Sequence, residues 1–234
     1  MRLNRFYSSI PLGEEVVIVN KDETSELFNQ ISHVFRAKIG YTCVFFDGKN
    51  NVDHIYELIN IDKKSLSFIK KQEVLKENNL RNGNRVLCLA LIKKDSFEEV
   101  VQKAVEIGIN KIIPLLSERS EKKLLNKERL GKIIIEAVEQ CGRNDIPVLE
   151  HIQKIEDVIK TSAKHIVFDT NPSQKIQKSI KSDDVFAWVG PEGGWTDSEL
   201  AVFRKHDATF CHLETYTLRA TTAGVLASFY IVNS

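Results

Sequence analysis

From residue 86 onward the chain repeatedly leaves an apolar run that reads as a strand and enters a helix opened by capping chemistry, an alternation few folds allow. Residues 86–92, VLCLALI, are wholly apolar, bounded by turn-forming residues and too short for a core helix or a bilayer span, which predicts a strand buried on both faces. Asp95 with Glu98 three residues later forms a capping signature for a helix carrying Phe97, Val100, Val101, Ala104 and Val105, and Gly108 ends it. Further strands are expected over 111–116, 165–169, 185–189 and 209–213, with helices over 127–142, 196–206 and 221–232. Strands separated by helices are joined by crossovers, so the pattern predicts a mostly parallel α/β sheet covered on both faces.

The first part of the chain has a different rhythm. Short β-rich pieces at 16–20, 42–46, 55–61 and 66–69 follow one another, broken by DGKNN and IDKKS turn chemistry, and suggest a small β-barrel. One helix interrupts it, with Asp22 and Thr24 as cap residues and Leu27, Phe28, Ile31, Val34 and Phe35 at helical spacing. The polar stretch 74–85, VLKENNLRNGNR, is the linker candidate, which divides the chain into domains at 1–72 and 73–234. Arg2, Arg5, Arg36 and Lys38 either cluster where the ends of the barrel meet or form a solvated rim.

Charge narrows the partners. Lys+Arg 33 against Asp+Glu 32 leaves a net charge of +1 over 234 residues, so a polyanion must be met by a local patch. Cys43, Cys88, Cys141 and Cys211 are widely spaced without a CxxC pair, which predicts buried reduced thiols and no zinc site. The opening MRLNRFYSSIPLGEE has no apolar core, so the expectation is a cytoplasmic chain without a membrane segment.

Four stretches could carry chemistry. In VFAWVGPEGGWTDSEL a strand runs into Gly190, Pro191, Glu192, Gly193 and Gly194, then into a helix opened by Thr196 with Glu199 three positions on. Bare backbone lets a ligand approach closely, although a tight strand-to-helix turn explains the same glycines. The run is neither GxGxxG nor a P-loop, which counts against NTP hydrolysis and dinucleotide binding. On the long helix Glu136, Gln140 and Arg143 share a face beside Glu139, as a site or as a solvated surface. In SERS, Arg119 either holds a phosphate or caps a neighbouring helix. In LETYTLRATTAG, Arg219 is the single permanent cation, an ion-pair partner or a reader of phosphate or base.

Six segments in order carry a resemblance: MRLNRFY, HVFRAKIGYTCVFFDGK, KKDSFEEVVQKAVEIGINKIIPLLSERS, EAVEQCGRNDIP, WVGPEGGWTDSE and HLETYTLRATTAG. The chain resembles the RsmE family of bacterial 16S rRNA methyltransferases, within the trefoil-knotted SPOUT superfamily. The resemblance implies an N-terminal PUA-like β-barrel that helps hold RNA and a C-terminal SPOUT α/β domain with a trefoil knot that binds S-adenosylmethionine and forms a homodimer. It implies methyl transfer to N3 of a uridine in 16S rRNA within the small ribosomal subunit. By the same analogy Leu116, Ser117, Gly190, Glu192, Gly193, Gly194, Leu213, Leu218 and Thr222 hold the cofactor, and Arg219 is catalytic. RNA contacts are expected from Arg2, Arg5, Arg36, Lys38, Arg119 and Arg143. Two positions depart from the family pattern, Glu214 where the family has Gly and Thr221 where it has Glu, which leaves a noncatalytic rRNA-binding or assembly protein as the alternative.

The chemistry follows from the substrate. Uracil N3 carries a proton and is a poor nucleophile until that proton leaves, so activation falls on the base. A cation can stabilise the charge that spreads over the two flanking carbonyl oxygens, and the guanidinium of Arg219 suits that role. Glu139 and Glu192 are the candidate proton acceptors.

Overall fold

The computed structural model describes residues 3–76, 83–120, 124–170, 182–213 and 216–234. Two compact units result, one comprising Met1–Asn79 with Val138–Ile146, the other Leu80–Ala137 with Pro147–Ser234.

The first unit is built on a five-stranded sheet of β1 (Arg5–Tyr7), β2 (Val16–Asn20), β3 (Thr42–Phe46), β4 (Val52–Ile61) and β5 (Ser65–Leu75), in the order β1-β3-β4-β5-β2. Only the β1–β3 pair is parallel. Phe6, Val17, Val19, Phe45, Tyr56, Leu58, Leu66 and Phe68 form its core with Leu27, Phe28 and Ile31 from the interrupting helix α1 (Ser25–Asn29) and its continuation. β5 runs through Leu75, so strand pairing continues past the expected domain end at 72 and takes in the start of the expected linker. Residues 77–82 of that linker lie outside the described residues.

Two expectations for α1 are corrected. Thr24 is its N-cap by position, yet its side chain makes no capping bond and donates instead to the Asn20 carbonyl at 2.9 Å. The helix then widens into a π turn, Gln30–Val34, closed by Phe35 N–H donating to the Gln30 carbonyl at 2.9 Å. A wider turn breaks the 3.6-residue spacing, and Val34 and Phe35 emerge 73% and 41% exposed instead of joining the core.

Residues 138–146 belong to this unit through hydrogen bonds. Glu139 accepts from Tyr7 N–H at 2.8 Å and from Gln30 Nε2 at 3.1 Å. Asn144 accepts from Arg5 Nη2 at 2.6 Å and donates to Asp53 at 3.0 Å. Arg5 Nη1 bonds Asp53 at 2.5 Å, and the guanidinium lies 4.8 Å from the centre of the Phe46 ring.

The second unit holds six parallel strands in the order β11-β9-β10-β6-β7-β8: β6 (Arg85–Ala90), β7 (Lys111–Leu115), β8 (Val148–Leu149), β9 (Lys164–Phe168), β10 (Val185–Val189) and β11 (Thr209–Cys211). The chain first moves outward from β6 to β7 and β8, then lays β10 between β6 and β9. The parallel sheet follows the sequence expectation, and β6 and β10 are buried at every position because both of their faces are covered. Helices α2 (Lys94–Ile107), α3 (Lys127–Cys141), α4 (Ile155–Val158), α5 (Asp197–Lys205) and α6 (Ala220–Asn233) complete the chain. Gly108 closes α2 at φ +113, as expected. The cap is different: α2 starts at Lys94 after Lys93, so Asp95 and Glu98 lie inside the helix, and Glu98 pairs with Arg129 at 2.7 Å. At Gly224 of α6 a Cβ would stand 2.8 Å from Val100 Cγ1, so α6 packs on α2 closer than any other residue permits.

All four cysteines are free thiols; Cys43, Cys88 and Cys211 are buried and Cys141 is only half-buried. No described helix is long and apolar enough to cross a membrane, and the described residues hold no group of three metal-ligating side chains.

Candidate functional site

Three parallel strands end side by side at Phe168, Val189 and Cys211, and a cavity of about 460 Å³ opens beyond their carboxyl ends. Open α/β sheets bind ligands at this edge, because the strand ends present loops and free backbone groups there. The walls are Phe168 to Thr170 after β9, Val189 to Trp195 after β10, and Cys211 to Leu213 with Tyr216 to Ala220 after β11, closed by Ala223 of α6. The volume is that of a small-molecule site.

The glycine run is shaped residue by residue. A Cβ on Gly190 would lie 3.1 Å from the Trp195 ring, which is buried, stacks edge-on against Phe203 at 5.1 Å and donates from Nε1 to the Phe168 carbonyl at 3.3 Å. Gly190 therefore serves packing. Gly194 holds φ +70 with open space around its missing Cβ, so backbone conformation alone requires glycine there. At Gly193 the added Cβ would meet only the Arg119 side chain, at 3.3 Å. Thr196 and Glu199 then close the expected capping box: Glu199 N–H donates to Thr196 Oγ1 at 3.3 Å and Thr196 N–H donates to Glu199 Oε2 at 2.8 Å.

Of the residues expected around the cofactor, Gly190, Glu192, Gly193, Gly194, Leu213 and Leu218 line this cavity, and Arg219 lines it with them. Leu116, Ser117 and Thr222 do not. Leu116 N–H donates to the Gln153 carbonyl at 2.9 Å, Ser117 is buried with no hydrogen-bond partner for its Oγ among the described residues, and Thr222 is exposed on α6. Arg219 is exposed and stands at the N-cap of α6, whose first turn has no acidic residue. A guanidinium is unfavourable beside the positive end of a helix, so the fold itself gains nothing electrostatically from this placement.

The RNA-contact residues separate. Arg36 and Lys38 are exposed. Arg5 is 8% exposed and committed to Asp53, Asn144 and the Arg143 carbonyl, so it braces the first unit from within. Arg143 pairs with Asp145 through both Nε and Nη2. Arg119 is exposed, and its Nη1 donates to the Gly193 carbonyl at 2.7 Å and the Trp195 carbonyl at 3.3 Å, which ties the segment after β7 to the glycine loop. Arg2 and Glu214 lie outside the described residues. Glu139 does not line the cavity; its carboxylate oxygens accept from Tyr7 N–H and Gln30 Nε2.

Asp169, Thr170 and His212 also line the cavity and were missed. The available signal was position: HIVFDT and TFCHL end predicted strands, and parallel strand ends are where sites form. Cys211 is no nucleophile, because burial pushes its thiol up to about 11. Behind the cavity Trp188 Nε1 donates to His165 Nδ1 at 3.1 Å and His165 Nε2 meets the Thr161 carbonyl at 2.9 Å, which fixes a neutral imidazole. Its burial lowers the imidazole below its ordinary range.

Residues 79–232 match the family described as RNA methyltransferase domain. The chain is 30% identical to ribosomal RNA small subunit methyltransferase E of Rickettsia conorii, over 97% of this chain and 94% of that one. It is 29% identical to the Bacillus subtilis protein of the same name, over 87% and 86%. The fold is shared with a ribosomal RNA small subunit methyltransferase E from Neisseria gonorrhoeae solved with S-adenosyl methionine, at a TM-score of 0.81 and 24% identity over 97% of this chain and 95% of that one. It is shared equally with a Legionella pneumophila methyltransferase solved with SAM, at 0.84 and 23% over 99% and 97%.

Proposed function

This chain belongs to the ribosomal RNA small subunit methyltransferase E family, and from that premise we propose that it methylates 16S rRNA with S-adenosylmethionine as donor. One observation carries the reading: the cavity at the strand ends is lined by Gly190 to Gly194, Leu213 and Tyr216 to Ala220, which fall in two of the three stretches, Leu116 to Ser117, Gly190 to Gly194 and Leu213 to Thr222, that the family places around its cofactor. The residues fit such a ligand. Val189, Pro191, Leu213 and Leu218 offer apolar walls for a planar heterocycle, the glycine loop offers backbone groups, and Asp169 and Glu192 offer acceptors for hydroxyl and ammonium groups. Leu116, Ser117 and Thr222, which do not line this cavity, stay in the proposed cofactor set on the family resemblance alone. When bound, S-adenosylmethionine supplies a methyl group already activated on a sulfonium.

The chain's own task is the acceptor. We assign N3 of a uridine as the methylated atom. Arg219 donates to the uracil carbonyl oxygens and stabilises the negative charge left when the N3 proton departs, and Glu192 is the acidic candidate for that proton. Holding N3 in line with the methyl group supplies much of the remaining rate.

The second unit is read as a trefoil-knotted SPOUT domain, supported by the placement of β10 between β6 and β9, and the first as a PUA-like RNA-holding barrel that presents Arg36 and Lys38. A homodimer is proposed on the apolar face of α6, where Leu226 and Phe229 are 36% and 57% exposed. The site of action is the small subunit in the cytoplasm.

The test is transfer of labelled methyl from S-adenosylmethionine to purified small ribosomal subunits, with the modified base identified by mass spectrometry. Label on N3 of a uridine is the expected result. Subunit binding without any transfer supports the assembly-protein alternative, and label on another atom overturns the N3 assignment.

A further inference from the structure

Resting on the methyltransferase reading, we propose that Tyr216 is the platform on which the target base stacks when it leaves its RNA strand and reaches the cavity. Tyr216 is 97% exposed, the most exposed of the large hydrophobic side chains described, and it lines the same cavity as Arg219. A tyrosine ring carries apolar area that is normally withdrawn from water in a folded protein, so a ring left almost wholly in solvent at a cavity wall is placed for a flat partner. The expected partner is flat. A base cannot react at N3 while it is paired and stacked, because that atom lies on its Watson–Crick edge, so it must be displaced and held by both its face and its edge.

Arg219 and Tyr216 divide those two tasks. The guanidinium is a planar fork of donors that matches carbonyl oxygens at the base edge, and while it donates in the plane of the base it leaves the face uncovered. The phenol ring supplies the face, by stacking that tolerates any base and therefore adds affinity more than selectivity. Selection of uracil then rests on the edge contacts of Arg219, while residence of the base rests on Tyr216.

The test compares wild-type protein with Tyr216→Ala and Tyr216→Phe. Three quantities are measured: the KM for small ribosomal subunits lacking the methyl group, the S-adenosylmethionine affinity by calorimetry, and the mass by sedimentation equilibrium. Loss of one stacked base raises KM roughly 5- to 150-fold in Tyr216→Ala, with cofactor affinity and mass unchanged, and Tyr216→Phe stays within about threefold of wild type because the ring remains. A KM unchanged in Tyr216→Ala overturns the proposal. So does a phenylalanine variant as defective as alanine, since the hydroxyl would then be the working group. A parallel loss of cofactor affinity makes Tyr216 part of the cofactor wall, and an altered mass makes it a contact between copies; either refutes base stacking. Wild-type protein that binds no S-adenosylmethionine and methylates no subunit sinks the underlying function, an outcome separate from any defect of the variants.

Discussion

Asp53→Ala isolates the charge network that ties residues 138–146 to the five-stranded sheet. Asp53 accepts from Arg5 at 2.5 Å, from Asn144 at 3.0 Å and from Lys76 at 3.2 Å, and its side chain is 9% exposed. Lys76 is 40% exposed and regains water when Asp53 is removed. Arg5 does not: at 5% side-chain exposure it keeps the Asn144 and Arg143 oxygens but loses its only counter-charge among the described residues. Removing one partner of a buried pair costs about 3–5 kcal/mol, because the other charge stays buried and uncompensated. With a urea m-value of roughly 2 kcal/mol/M, the first unit's unfolding midpoint falls by about 2 M. Both tryptophans, Trp188 and Trp195, lie in the second unit, so their fluorescence follows that unit. Hydrogen exchange at graded urea, read on peptides from residues 42–75, follows the first unit. Arg5→Met combined with Asp53→Leu recovers most of the loss, since no buried charge is left. A loss under about 1 kcal/mol in Asp53→Ala, or a double variant as unstable as the single one, would refute the reasoning.

Gly193→Val should lower S-adenosylmethionine affinity at least tenfold, or about 1.4 kcal/mol, while the thermal midpoint moves little, because the added atoms meet only the Arg119 side chain; unchanged affinity in calorimetry would make the loop purely structural. Arg219→Ala should slow single-turnover methylation about 100-fold with cofactor affinity intact, as for loss of a donor to developing charge; a defect confined to cofactor binding would place the guanidinium elsewhere. Burial holds the His165 imidazole below its ordinary value of about 6.5. The unfolded chain therefore binds a proton that the folded chain refuses, so stability is full above pH 6.5 and declines as pH falls through the window beneath it. Thermal midpoints recorded against pH should show that slope in wild type and a shallower one in His165→Gln, and an identical slope in both assigns it to another group.

The alternation of buried strands and helices after residue 86 was enough to read a parallel sheet, since a helix between parallel strands leaves a local signature in apolar spacing and helix ends. The glycine run and Arg219 were legible for the same reason: each sits at a strand end or helix start that short-range pattern marks. Sequence could not assign the basic residues. Arg5, Arg119 and Arg143 look alike along the chain as candidate phosphate contacts, yet one is buried against Asp53, one braces the glycine loop and one is paired with Asp145. Nor could it place residues 138–146, because they join the first unit through Glu139 and Asn144, whose partners Tyr7 and Arg5 are more than 130 positions away. Local pattern determined the strands, the helices and the glycine-rich strand exit, since each depends on neighbours within a few residues. Tertiary structure alone decided which cations stay in water and which cavity the strand ends enclose, because burial and charge pairing depend on residues that only folding brings together.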